Sequence, residues 1–194
     1  MMNQERIQQD ILLDITSLLK KYKIPYLLTG SMAVVSYGFP RYTHDIDLII
    51  ETDTDSFEKI KALLQGLKEP YIFGIQSLPT VLREGGMWNM MHEKTGNKID
   101  FWVVESKFFQ EQFKRKRRIK KQDHYVLAVC PEDLLITKLA WSKQVMSERH
   151  IRDCAGILSL QKNKLDYDYL DKQIKKQGLE KLFKLALRTE YQPT

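Results

Sequence analysis

Two carboxylates, Asp45 and Asp47, lie inside a strand-like stretch that is rich in Ile and Leu. Residues two apart on a β-strand point to the same face of the sheet, so this spacing places the two side chains side by side. Like charges this close repel each other unless a cation compensates them. Paired carboxylate oxygens suit Mg²⁺, which takes few protein ligands and keeps its other positions for water or substrate phosphates. The pair therefore predicts a site for Mg²⁺, or for Mn²⁺, which binds the same oxygen ligands.

A third acid, Asp100, is the single charged residue of the apolar stretch 99–104. A polar group in such a strand is costly unless it is used. If this strand lies beside the one that carries Asp45 and Asp47, the three carboxylates can hold two metal ions that activate a hydroxyl and stabilise a leaving pyrophosphate. We therefore predict that all three acids are catalytic residues and metal ligands.

Upstream of the acid pair, Gly30 and Ser31 follow a short apolar strand and precede a short helix. Glycine lets the backbone approach a phosphate closely, and Ser31 lies where the free N–H groups of a helix N-terminus favour anions. The chain contains neither GxxxxGK[ST] nor GxGxxG, so it predicts no P-loop and no Rossmann site. We therefore expect Gly30 and Ser31 to contact phosphate groups of a ligand.

Lys138 lies in the middle of the apolar face of a predicted helix. Lysine is rarely buried without a partner, so we expect its ammonium to meet either a triphosphate or a carboxylate of the site. The alternative is a lysine stem that packs on apolar residues while its head stays in solvent.

Arg41 and Thr43 precede the acid pair and are further candidates for nucleotide binding. Arg41 could neutralise a phosphate or cap the turn after Pro40. The Thr43 hydroxyl could instead satisfy a local backbone group.

A basic run occupies positions 114–121, in which seven of eight residues are basic. Such a density can bind a phosphate backbone with salt-dependent affinity, although charge runs are commonly solvated faces. The net charge of +6 is concentrated in residues 111–194, which hold 19 Lys and Arg against 11 Asp and Glu. This asymmetry favours a polyanionic partner such as RNA or a nucleotide. The candidate nucleic-acid contacts are Lys114, Arg115, Lys116, Arg117, Arg118, Lys120 and Lys121.

The elements that must position these residues follow from hydrophobic periodicity and turn signals. The first part of the chain predicts an amphipathic helix at 3–22, strands at 26–29, 44–51 and 71–76, short helices at 33–37 and 55–66, and a hairpin of 87–92 with 98–104. After Pro131 the pattern becomes helical, at 132–143, 148–160, 166–176 and 179–189. We predict an α/β (α+β) fold: a mixed β-sheet flanked by helices in residues 1–130, and a C-terminal helical bundle in 131–194 packed on that core, with the nucleotide between them.

Composition bounds the class of protein. With 43% apolar and 29% charged residues, the 194-residue chain is typical of a soluble globular protein and not of a disordered or fibrous one. No run of eighteen apolar residues occurs and the first residues do not resemble a signal peptide, so we expect no membrane segment and a cytoplasmic location. Cys130 and Cys154 lack metal-ligand spacing, and we expect buried thiols there, with neither a disulfide nor zinc.

Gly30-Ser31 followed by Asp45-Ile46-Asp47 resembles the signature of the polymerase-beta-like nucleotidyltransferase superfamily. The segments 41–47 and 131–139 resemble more narrowly the nucleotidyltransferase toxins of bacterial abortive-infection and toxin–antitoxin systems and their uncharacterised relatives. The resemblance covers roughly residues 10–160. It implies the nucleotidyltransferase fold, Mg²⁺ on Asp45 and Asp47, a third acid at Asp100, triphosphate contacts from Gly30 and Ser31, and an NTP donor.

Together these observations predict a Mg²⁺-dependent nucleotidyltransferase that moves an NMP from an NTP to an acceptor hydroxyl. The acceptor expected first is tRNA or another RNA, with a protein hydroxyl or a small molecule such as an aminoglycoside as the alternative, and a cognate antitoxin is a further expected partner. Two readings of a different class stay open: a catalytically idle binding module or antitoxin-like partner with this fold, and a basic RNA-binding protein without chemistry.

Overall fold

The computed structural model describes residues 4–38, 43–104 and 106–190. The chain divides into two compact units, the first from the described residues of Met1–Met32 and Thr43–Val129, the second from those of Ala33–Tyr42 and Cys130–Thr194. The predicted boundary after residue 130 lies one residue from the division at 129/130. Residues 33–38, which we expected to belong to the sheet core, group with the second unit.

The first unit is built around a mixed sheet. Its strands are β1 (Tyr26–Thr29), β2 (Asp45–Ile50), β3 (Tyr71–Phe73), β4 (Gly86–His92), β5 (Lys98–Val103), β6 (Arg117–Lys121) and β7 (His124–Ala128). Their order across the sheet is β3-β4-β5-β2-β1-β7-β6. The pairs β1·β7 and β2·β5 are parallel and the other neighbours are antiparallel. The strand that carries two acids is therefore central and lies directly beside the strand that carries the third.

Helices of this part of the chain are α1 (Gln4–Lys21), α2 (Gly30–Ser36), α3 (Ser56–Gln65), α4 (Leu78–Glu84) and α5 (Ser106–Lys114). Helix α1 forms because apolar residues recur every three or four positions, and Ile11, Leu12, Ile15 and Leu19 of that face are buried. Its Lys20 donates a 2.7 Å hydrogen bond to the Tyr125 carbonyl of β7. The four residues of β1 are all buried, as expected for an inner strand.

The predicted strand at 71–76 is shorter than expected. Only β3 forms, and a 3₁₀ turn at Ile75–Ser77 leads into α4, which the periodicity did not predict. Gly74 interrupts the extended chain, and Pro79 in the first turn of α4 is preorganised for a helix start. For residues 114–129 the sequence allows a helix end or a strand pair, and the structure has both: α5 ends at Lys114 and the hairpin β6–β7 follows.

The second unit is helical. Its helices are α6 (Pro131–Gln144), α7 (Glu148–Leu160), α8 (Tyr167–Gln177) and α9 (Glu180–Arg188). Three of them begin at side-chain caps: the Ser147 hydroxyl and the Asp166 carboxylate each accept a backbone N–H, and the Cys130 sulfur does so more weakly at 3.5 Å. The predicted fold class, a mixed α/β sheet followed by a C-terminal helical bundle, is confirmed. In the described part of the chain no helix has the length and apolar character needed to cross a bilayer.

Candidate active site

The three predicted acids lie on neighbouring strands. Asp45 and Asp47 of β2 pair in parallel register with Lys98 and Asp100 of β5, Asp45 beside Lys98 and Asp47 beside Asp100. Register partners and residues two apart share a face, so the four side chains stand together on one side of the sheet. We call this group, Asp45, Asp47, Lys98 and Asp100, the carboxylate face.

The opposite side of the same strands explains why this orientation is fixed. Ile46 and Leu48 of β2 are completely buried, and so is Ile99 of β5. A shift of one residue would expose these side chains and bury the acids, which the hydrophobic effect opposes. The alternation that the sequence shows thus sets which face the carboxylates occupy.

Gly30 lies directly against Asp47. It follows Thr29, which pairs with Asp47 across β1 and β2, and it starts α2 with a φ of +63°. A Cβ built at position 30 would overlap the Asp47 carboxylate. Only glycine suits both the left-handed backbone and this close approach. The predicted proximity of the glycine turn and the acid pair is therefore observed, and Ser31 follows as the second residue of α2.

Lys98 is a component of the site that sequence reasoning missed. Its Nζ lies 3.2 Å from Asp100 Oδ1 and 3.4 Å from Oδ2. Asp100 is 7% exposed, and this lysine compensates a carboxylate that would otherwise be costly to bury. The signal was available, because Lys98 stands two residues before Asp100 and therefore on its face of the strand.

Trp102 extends the same face by one further step along β5. Its indole Nε1 is 3.4 Å from Asp47 Oδ1, a long and weak hydrogen bond. Its register partners are Ile49 of β2 and Met87 of β4. The indole therefore forms a half-buried apolar wall beside the acids.

The donor chemistry of the carboxylate face fits Mg²⁺ or Mn²⁺, since hard oxygen ligands from carboxylates are what these ions prefer. As the side chains stand, the described residues contain no group of three His, Cys, Asp or Glu placed to hold an ion. Asp100 is instead engaged by Lys98. Its buried Oδ1 accepts no hydrogen bond of normal geometry, although the Lys98 ammonium lies 3.2 Å away. The metal assignment to Asp45, Asp47 and Asp100 stays a prediction.

The Thr43 hydroxyl satisfies local backbone, which was one of its two expected roles. Its Oγ1 accepts the Asp45 N–H at 3.3 Å and lies 3.4 Å from the Asp45 carbonyl oxygen. It thereby holds the first residue of β2 in place. Its part in nucleotide binding stays a prediction, and Arg41 lies outside the described residues.

Lys138 is buried in the second unit and has a carboxylate partner there. Its Nζ lies 2.7 Å from Asp153 Oδ2, with side-chain exposures of 7% and 1%. Sequence reasoning expected a triphosphate or an acid of the site, and it did not single out Asp153. Next to the pair, burial raises the pKa of the Cys154 thiol to about 12, so this sulfur stays protonated. Phosphate binding by Lys138 stays a prediction.

The basic run spans the end of α5 and the strand β6 at the edge of the sheet. Arg118 lies over the Tyr125 ring at 4.4 Å from its centroid, and Lys116 lies over the Phe113 ring at 4.0 Å. Burial lowers the pKa of Lys121. Charged side chains on an edge strand also prevent pairing with a second chain, so this position has a structural explanation of its own. Nucleic-acid binding by the run stays a prediction.

No protein-family model matches the chain, and no curated protein matches it. Solved structures of similar shape are nucleotidyltransferases. The antibiotic-resistance factor ANT(2'')-Ia, in complex with adenylyl-2''-tobramycin, has a TM-score of 0.62 at 11% identity, over 90% of this chain and 99% of its own. The lincosamide antibiotic adenylyltransferase LnuA, lincomycin-bound, has a TM-score of 0.54 at 17% identity, over 77% of this chain and 95% of its own.

A nucleotidyltransferase-like antigenic protein from Paracoccidioides brasiliensis has a TM-score of 0.50 at 15% identity, over 91% of this chain and 92% of its own. At these identities the likeness concerns the fold. The chain therefore has the nucleotidyltransferase fold that the sequence signature predicted. None of these three structures is described as a toxin, so the narrower resemblance to toxins of toxin–antitoxin systems stays a prediction.

Proposed function

We propose that this protein is a Mg²⁺-dependent nucleotidyltransferase that transfers a nucleoside monophosphate from an NTP to an acceptor hydroxyl and releases pyrophosphate. One observation carries the proposal: Asp47 and Asp100 stand in register on parallel strands, and Asp47 packs against a glycine whose Cβ would overlap it. Two acids on a solvent-exposed strand would need neither the register with a third acid nor the close contact with a glycine. A site that presents several carboxylates beside an open backbone turn suits the phosphates of a nucleotide together with their cations.

In this proposal Asp45, Asp47 and Asp100 hold one or two Mg²⁺ or Mn²⁺ ions. When bound, these ions would neutralise phosphate charge and lower the pKa of the acceptor hydroxyl. Gly30 and Ser31 lie against the β- and γ-phosphates, and Asp100 accepts the proton of the acceptor hydroxyl. The hydroxyl oxygen then bonds to the α-phosphorus while the bond to the pyrophosphate oxygen breaks.

Other predicted contacts belong to the same proposal. Arg41 and Thr43 are kept as nucleotide-binding residues, and Lys138 would neutralise the triphosphate, which requires its ammonium to leave Asp153. The basic run supports an RNA acceptor, and an acidic antitoxin would fit the same charge. The antibiotic adenylyltransferases of the same fold support a small-molecule acceptor instead. The place of action that we propose is the cytoplasm.

The experiment is transfer of label from each of four [α-³²P]NTPs, with Mg²⁺, to total tRNA, to cell protein and to a small-molecule filtrate of a cell extract. We expect Asp47→Asn to lower the transfer rate by a factor on the order of 10³, because this carboxylate acts on the reacting phosphate. Its free energy of unfolding should stay equal or rise, because one of three crowded negative charges is removed.

The matched control is Asp123→Asn, the same substitution in the exposed turn between β6 and β7. It should leave the transfer rate at the wild-type value. Full activity of Asp47→Asn would contradict the proposal. Titration calorimetry with Mg²⁺ and each NTP tests the binding-module alternative, which predicts binding without any label transfer.

A further inference from the structure

An exposed apolar surface continues the carboxylate face toward the nearer edge of the sheet. Its strand residues are Ile72 of β3, Met87, Asn89 and Met91 of β4, and Trp102 of β5. Register partners share a face, and Met91 pairs with both Ile72 and Lys98 while Asn89 pairs with Asp100. We call these five residues the apolar ledge.

The ledge is open, unlike the other side of the same strands. Ile72 is 55% exposed, Met87 38% and Met91 39%, whereas the alternate residues Trp88 and Met90 are 3% or less exposed. The side of a strand that carries large apolar side chains normally packs against a core. A row of them in solvent, next to a group of acids, indicates a binding surface.

The geometry of the proposed reaction indicates which substrate binds on the ledge. In an in-line displacement the attacking oxygen and the leaving pyrophosphate lie on opposite sides of the α-phosphorus. Gly30, beside which the pyrophosphate is proposed to lie, is on the β1 side of Asp47, and Asp100 is on the β5 side. The acceptor hydroxyl therefore approaches from β5, and beyond β5 lies β4 with the ledge.

Distance limits the size of the acceptor. Asn89, Asp100 and Asp47 form one row across three adjacent strands. With strands about 4.8 Å apart, Asn89 stands about 10 Å from Asp47. A molecule of ordinary metabolite size that lies on the ledge can thus place a hydroxyl at Asp100 and a polar group at the Asn89 amide.

Charge decides between the acceptor classes. The ledge contains no charged side chain, and the carboxylate face beside it holds three acids and one lysine. The ledge itself offers no cationic side chain to the phosphates of a nucleic-acid backbone. Residues 117–121 of the basic run form β6, five strand positions from β4, or about 24 Å. An RNA bound at the basic run would have to extend over five strand positions of the sheet to reach the β4 part of the ledge.

We infer that the apolar ledge is the acceptor site, and that the acceptor is a small uncharged or cationic hydroxylated molecule with an apolar face. This rests on the proposed function and narrows it against an RNA acceptor. The apolar face of the molecule packs on Met87, Met91 and Trp102, and Asn89 binds a polar group. The product is a phosphodiester of that molecule.

The test uses the full chain, [α-³²P]NTP and the three acceptor fractions named above. Label should enter the small-molecule filtrate, in a species less anionic than the free NMP on anion exchange. Met91→Glu should lower the initial rate at least tenfold, with the dissociation constant of Mg²⁺-NTP unchanged. Met146→Glu, the same change at a 70% exposed methionine of the second unit, should have no effect. Because Met91 is already in solvent, both variants should melt like the wild type.

The outcomes separate the two proposals. Label in tRNA would contradict the acceptor site on the ledge but not the proposed nucleotidyltransferase activity. The same conclusion follows if Met91→Glu and a second variant, Ile72→Glu, both leave the rate of transfer into the filtrate unchanged. Absence of NTP binding and of label in every fraction overturns the proposed function, and the ledge falls with it. Tenfold losses in both ledge variants, together with an unchanged Met146→Glu, support the acceptor site.

Discussion

Charged residues are treated differently in the two units of the chain. In the sheet unit, Asp45, Asp47 and Asp100 share one face with a single lysine, and the first two are half-buried. In the helical unit, Lys138 and Asp153 are buried and bound to each other at 2.7 Å. Three acids thus share the sheet face with one lysine, whereas the acid of the helical unit is paired with a lysine of its own.

The acids at the start of α6 are also hydrogen-bonded within the helical unit. Glu132 and Asp133 are each 3% exposed. Glu132 accepts the backbone N–H of Asp166 at 2.9 Å, and Asp133 accepts the Tyr169 hydroxyl at 2.7 Å. Both bonds tie α6 to the start of α8. The segment that resembles a family motif therefore uses its acids to assemble helices, and chemistry is to be sought where charges are left for a ligand.

The largest effect on stability is expected for Lys138→Met. Removing one partner of a buried ion pair takes the ammonium away from the buried Asp153 carboxylate, which costs about 3–5 kcal/mol of unfolding free energy. Urea unfolding followed by circular dichroism measures it. The control is Lys175→Met, which breaks the exposed 2.6 Å pair with Asp171 and should change the midpoint little.

A different result for Lys138→Met would contradict the difference between the two units. Unchanged stability together with loss of Mg²⁺-NTP binding would mean that the lysine is kept for the nucleotide. A second variant, Lys138→Met with Asp153→Leu, should recover most of the lost stability, because no unpaired charge is then buried.

A smaller effect is expected for Gly30→Ala. The positive φ alone costs about 1–2 kcal/mol for a residue with a Cβ, and the added methyl group must also displace the Asp47 carboxylate. Gly96→Ala is the matched control, since Gly96 has a φ of +70° and its Cβ would meet nothing within 4 Å. Both variants should lose stability in thermal melts, and Gly30→Ala should lose more, because only its methyl group meets another side chain.

Only Gly30→Ala should also lose label transfer, because only there does the new Cβ reach a carboxylate. Equal activity of the two alanine variants would mean that the position of Asp47 against the turn does not matter for function. This pair therefore separates backbone strain from the geometry of the site.

Periodicity predicted much of the fold because local residues decide it. The alternation of Asp45 to Ile50 fixes a strand and its polar face, and the recurrence in 4–21 fixes a helix. Whether β5 would lie beside β2 was not encoded locally, since it depends on which non-consecutive strands pair. The proximity of Asp100 to Asp47 could thus be hypothesised only through the resemblance and the chemistry of the acids.

Two ionic partners escaped sequence reasoning for related reasons. Asp153 meets Lys138 only because α6 and α7 pack with a particular rotation, which spacing along one helix does not reveal. Lys98 was overlooked because it stands at the first position of its strand, where a lysine is ordinarily read as a solvated end. Its relation to Asp100 follows from the two-residue period once the strand bounds are known.

Lys98→Met is expected to lower the free energy of unfolding least. It also tests most directly whether the two units accommodate charged residues differently. Lys98 is 42% exposed, so solvent screening limits the loss to about 0.5–1 kcal/mol. Without the lysine, Asp100 loses the ammonium that lies 3.2 Å from its Oδ1. Added Mg²⁺ should therefore raise the melting temperature of this variant more than that of the wild type, because a divalent ion can replace the ammonium at Asp100. The same addition should not rescue Lys138→Met, whose Asp153 is 1% exposed and closed to solvent ions.

Lys61→Met, at an exposed position of α3, controls for general salt effects. Equal Mg²⁺ responses in the wild type and Lys98→Met would mean that the carboxylate face is not a cation site, and the two units would then handle charge in the same way.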